Sequence, residues 1–185
     1  LERVDSDNAA AYRSNLDDFE RRILERTFGA RLVELVGRET LFDLASSGRF
    51  WSFARDQEFQ GQPLTEQLGG WLAEAAPFRD GRMICYHKNW AYFSARFRVD
   101  CAMYVEPKPG IPPSPGHVRK VIDFVEREGI PVLLAANYFS RSQVERVASR
   151  AGATSVLVPE HVAGAEGVDD YFQLVDLWVS RLAEA

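Results

Sequence analysis

The sequence predicts an α/β protein: a mostly parallel sheet of about four strands flanked by helices, preceded by a long helix and a helical insertion. Two observations carry this. Short apolar runs and amphipathic stretches alternate about four times after residue 80, the pattern of βαβ units. Before that point the text is helical, punctuated by Gly and Pro. A chain of 185 residues is also large enough to bury a real core. The reading divides the chain into residues 1–29, 30–78 and 79–185.

Asp5, Ser6 and Asp7 are residues of the capping type. Beyond them Ala11, Leu16, Phe19, Ile23 and Leu24 recur near the helical period among many charges, which predicts one long amphipathic helix. Residues 30–78 hold short helical patterns ("ARLVELVG", "LFDLASSG", "LTEQLGGWLAEA") and the aromatics Phe50, Trp51, Phe53, Phe59 and Trp71. A helical insertion with its own small aromatic core follows. Then come "RMICYH", "WAYFSARF", "VDCAMYV", "PGHVRKVIDFVEREG", "IPVLLAAN", "SQVERVASRAG", "TSVLVP" and "GVDDYFQLVDLWVSRLAEA". In parallel sheets ligands bind at the carboxyl ends of the strands. His87, Glu106, Asn137 and Glu160 each stand just beyond an apolar run, so all four are expected at that end.

Composition removes several function classes. The 22 basic and 27 acidic residues are interspersed and sum to −5, so there is no basic stripe to neutralise phosphates and nucleic acid is not an expected partner. No apolar run approaches the roughly 20 residues that span a bilayer. The chain opens at Leu1 in polar helix-forming residues with no basic n-region and h-region, and is read as a processed or truncated product. Cys85 and Cys101 are too few for a disulfide framework and lack the spacing of a structural zinc site. They are expected to pack as small buried thiols on neighbouring strands.

Among candidate residues His87 ranks first. Neutral imidazole is the commonest metal ligand and the usual general base, although a lone strand-end His is more often a hydrogen-bonded structural residue. Cys85, two residues earlier, makes a Cys/His nucleophile pair conceivable. "EPKPGIPPSPGH", residues 106–117, is a stiff proline loop in which Ser114 caps the next helix with Pro115 in its first turn. Its rigidity fits a shaped binding rim. His117 reads as a cap-region side chain, and for Glu106 and Lys108 a functional role stands open beside the plainer reading of a solvated pair. In "VPEHVAGAEG", Glu160 and His161 are candidate ligands for a divalent ion, but neighbours on an extended chain point opposite ways. At most one of them is expected to share a site with His87.

"YHKNWAYFSARF", "VEPKPGIPPSPGHVRKVIDFV" and "VDDYFQLVDLWVSRL" resemble the C-terminal half of the periplasmic zinc and manganese solute-binding proteins of ABC transporters, the ZnuA-like and TroA-like family. "DNAAAYRSNLDDFERRI" resembles the helix that connects the two lobes of those proteins, and residues 30–78 match a subgroup with an insertion. The resemblance implies a non-enzymatic transport component that holds Zn2+, or Mn2+, between two lobes and delivers it to the ABC transporter permease in the inner membrane. It makes 1–29 the connecting helix and 79–185 the metal-binding lobe, and it implies a periplasmic location. His87 matches the second-lobe histidine ligand, so its partner ligands are expected upstream of Leu1. Many members place a ligating Asp directly before the Pro after the last strand. Here Val158 stands there, and Glu160, or water, is the candidate replacement. Two alternatives are carried: a small α/β hydrolase or transferase using Cys85 and His87, and a docking or dimerisation lobe that binds no metal. The first lacks a G-x-S-x-G elbow, a Gly-rich phosphate loop and an H-E-x-x-H motif.

Overall fold

The computed structural model describes residues 1–108 and 110–185; Pro109, part of the proline loop read as a rim, lies outside them. The chain divides into two compact units, Leu1–Glu74 and Ala75–Ala185.

In the first unit α1 (Ala9–Phe28) is followed by α2 (Ala30–Val36), α3 (Arg38–Ser46), α4 (Phe50–Asp56) and α5 (Gly70–Glu74). Only the far end of the apolar stripe of α1 is covered: Leu24 and Phe28 are buried, while Leu16 and Phe19 are exposed. The core lies where α1 ends. Phe28 packs on Phe50 with ring centroids 4.5 Å apart, and Trp71 is buried. Glycine is required there, because a Cβ on Gly29 would stand 2.5 Å from the Cα of Gly69. The helical insertion also contains a hairpin absent from the sequence reading. β1 (Glu58–Phe59) and β2 (Gln62–Pro63) pair antiparallel around Gln60 and Gly61. Both turn residues have positive φ, as the tightest hairpin turns demand.

The second unit alternates strand and helix as predicted: β3 (Arg82–Cys85), α6 (Ala91–Phe97), β4 (Asp100–Tyr104), α7 (Pro115–Glu128), β5 (Val132–Ala136), α8 (Arg141–Ala151), β6 (Thr154–Val158) and α9 (Tyr171–Ala183). Its four strands are all parallel, in the order β4-β3-β5-β6. The chain therefore leaves β3 in one direction and β5 in the other, and the switch in direction falls between these two central strands. Period-two alternation sorts the side chains. Ile84, Tyr86, Leu133 and Ala135 pack with Val121, Val125, Val144 and Ala148 of α7 and α8. Trp90, Phe93 and Trp178 of the α6 and α9 layer interlock edge to face, with Trp178 5.4 Å from Trp90 and 5.9 Å from Phe93.

The expectation of two free thiols is wrong. Cys85 and Cys101 form a disulfide, with their Cα atoms 5.4 Å apart. Adjacency of β3 and β4 in the sheet brings them together, which a sequence separation of 16 does not reveal. A disulfide carries no thiolate, so the proposed Cys85/His87 nucleophile is not available.

Candidate functional site

Four connections leave the carboxyl ends of the strands, and the two that flank the switch point carry His87 and Tyr138. The β3–β4 ladder runs on past both strands: Val105 N donates to Cys85 O at 3.2 Å and Glu106 N to Tyr86 O at 2.7 Å. This continuation sets the Glu106 carbonyl 2.8 Å from His87 Nδ1. A carbonyl can only accept, so Nδ1 carries the proton. In the neutral ring Nε2 then holds the lone pair, the form in which imidazole binds metals or takes protons. Half-buried His87 also stands beside Phe139, 6.3 Å between centroids.

Glu106 is not the solvated partner of Lys108 that the plainer sequence reading made it. It is buried, and its Oε1 accepts from Gly110 N at 2.9 Å, so the carboxylate braces the proline loop from inside. Burial raises the Tyr86 phenol above its ordinary pKa, and the nearby charge of Glu106 adds to this. Ser114 caps α7 as expected, accepting from His117 N at 3.2 Å. The His117 ring bonds the carbonyl of Tyr104 through Nε2 at 2.9 Å.

Across the switch point three side chains form a relay. Asn89 Nδ2 donates to the Tyr138 hydroxyl at 2.9 Å, and that hydroxyl donates to Glu160 Oε2 at 3.1 Å. Burial, then the charge of Glu160, raises the Tyr138 pKa. The position of Glu160 is fixed from behind: Trp178 Nε1 donates to the carbonyl of Pro159 at 2.6 Å. Asn137 Nδ2 donates to Gly164 O at 2.7 Å and ties down the same loop. Gly164 cannot be larger, since a Cβ would stand 2.8 Å from both His161 O and Pro159 Cβ. His161 is exposed. Two oxygens of the relay, Asn89 Oδ1 and Glu160 Oε1, are buried with no hydrogen-bond partner. Each such atom costs about 1–3 kcal/mol unless a donor or cation meets it.

Among the described residues no three His, Cys, Asp or Glu side chains gather into a metal-holding group. What this end of the sheet offers is one oriented imidazole and one half-satisfied carboxylate. The sequence reading missed Asn89 and Tyr138. "HKN" beside the strand end was the visible signal for Asn89; nothing local marks Tyr138.

The family model described as zinc-uptake complex component A, periplasmic, matches residues 62–185. Solved structures share the fold over the whole of this chain. One is ZnuA, at TM-score 0.61 and 18% identity, with 53% of that chain covered. Another is the solute-binding protein FpvC from Pseudomonas aeruginosa in complex with Mn2+, at 0.59 and 20%, with 54% covered. A third is a Mn-bound periplasmic metal-binding protein from Candidatus Liberibacter asiaticus, at 0.58 and 13%, with 55% covered. The chain thus spans about half the length of these structures. No curated protein matches it.

Proposed function

Since the chain belongs to the family of the periplasmic component A of zinc-uptake complexes, we propose that it is the metal-capturing lobe of an extracytoplasmic solute-binding protein that hands Zn2+, or Mn2+, to an ABC permease. The metal is cargo, not a resident cofactor, and no catalysis is assigned. The observation that carries the reading is the His87 tautomer: the Glu106 carbonyl holds Nδ1 as a donor, so Nε2 is the ligand nitrogen. Glu160 supplies the carboxylate, because its Oε1 is buried without a partner.

Zinc transport sites need about four ligands, and this lobe contributes two. The remaining ligands come from the other half of the whole protein. Its relatives in solved structures are ZnuA, which carries the name of the zinc-uptake component, and proteins with bound Mn2+. An imidazole favours Zn2+, and each added oxygen shifts the preference towards Mn2+.

Calorimetric titration tests the proposal. The 185-residue chain is expected to fold without metal and to bind Zn2+ weakly, whereas the whole protein binds it tightly. Tight one-to-one binding by the short chain, or a whole protein indifferent to His87→Ala, would sink the two-lobe account.

A further inference from the structure

The Tyr138 hydroxyl has one hydrogen and stands between a carboxylate and an amide. A carboxylate oxygen only accepts, so that hydrogen goes to Glu160 Oε2. The hydroxyl must then accept from the amide, which fixes the orientation of Asn89: its NH2 faces Tyr138 and its Oδ1 does not. One phenol thus consumes Oε2 and Nδ2 and leaves Oε1 and Oδ1, two of the buried atoms that lack partners, the third being the donor Trp90 Nε1.

We propose that Tyr138 is the positioning residue of the metal site: by engaging Glu160 Oε2 and the amide of Asn89, it reserves Glu160 Oε1 and Asn89 Oδ1 as oxygen donors for the divalent cation. The inference rests on the reading of His87 and Glu160 as ligands and adds two residues to it. Asn89 follows His87 by two positions, and Tyr138 lies on the loop after β5, so the relay joins the two loops that border the switch point. A carboxylate free to rotate would spend its time in several rotamers. One held by Oε2 presents a single oxygen.

Zn2+ titration of the whole protein is the test, comparing wild type, His87→Ala, Tyr138→Phe, Glu160→Gln and the double variant Tyr138→Phe/Glu160→Gln. Tyr138→Phe is expected to weaken binding about tenfold, the scale of losing a hydrogen bond that orients a ligand. In the Glu160→Gln background the same change should add less than it does alone, because part of what Tyr138 positions is already lost. If Tyr138→Phe binds within about twofold of wild type while Glu160→Gln loses affinity, the positioning role is overturned and the ligand reading stands. Full additivity in the double variant overturns it as well. If neither Glu160→Gln nor His87→Ala weakens binding, or if the whole protein takes up no Zn2+, the ligand reading fails and the inference with it.

Discussion

The loop after β3 and the first turn of α7 each hold an imidazole against a backbone carbonyl from the end of β4, yet they spend opposite nitrogens on it. His117 gives its tip nitrogen, Nε2, to Tyr104 O. What remains is Nδ1, crowded by the residue's own Cβ and main chain. His87 gives Nδ1 to Glu106 O and keeps the tip. The two bonds are similarly short, at 2.9 and 2.8 Å, so bond strength does not separate a structural histidine from the proposed ligand. The nitrogen left over does.

Anything that loosens β3 from β4 should blur this contrast, and the largest effect is expected from the disulfide. It joins cysteines separated by 16 in sequence, and its loss through Cys85→Ala/Cys101→Ala should cost about 3 kcal/mol in urea unfolding. Zn2+ affinity of the protein that still folds should change by only a small factor, since neither sulfur is a ligand. A large loss would show that the disulfide, and not the ladder hydrogen bonds alone, holds the Glu106 carbonyl against His87.

Next in size, His87→Ala should weaken Zn2+ binding by the whole protein on the order of 100-fold or more, beyond the loss of an orienting partner. His117→Ala should leave that affinity nearly unchanged and instead lower stability by about 1 kcal/mol. Equal effects on affinity would break the distinction. A cap-specific control sharpens it: Ser114→Ala should cost about 1 kcal/mol without touching metal binding.

The smallest effect is a pH dependence. The Tyr138 pKa is raised by burial and by Glu160, so the folded state holds that proton longer than the unfolded chain does. The stabilising contribution is complete below the ordinary tyrosine pKa and is lost as pH rises through the raised value. Denaturation measured across that alkaline range should show a shallower decline for Tyr138→Phe. An unchanged slope would mean that the phenol is not held.

Sequence patterns are local, and what was legible followed from that. The runs around Ile84, Leu133 and Val156 read as strands because each is short, apolar and flanked by helix-period text. Ser114 with Pro115 read as a cap for the same reason. His87 stood out at a strand end. The disulfide was not legible, because it depends on which strand lies beside β3. The relay was not either: Asn89 and Tyr138 are 49 residues apart and Tyr138 and Glu160 are 22 apart, so only the strand order joins them. Glu106 misled for a different physical reason. A carboxylate near a Lys and several prolines looks solvated until the loop folds back over it.

β5 is hydrogen-bonded on both sides, to β3 and β6, and all five of its residues are buried. Opening any of its amides to solvent requires dismantling the centre of the sheet, so β5 should exchange its amide hydrogens for deuterium last of all in this unit. Tyr138 follows it by two residues. The loop bearing the phenol is therefore moored to the slowest-breathing strand. Fraying at the ends of α8 or α9 can come and go many times within one lifetime of that anchorage.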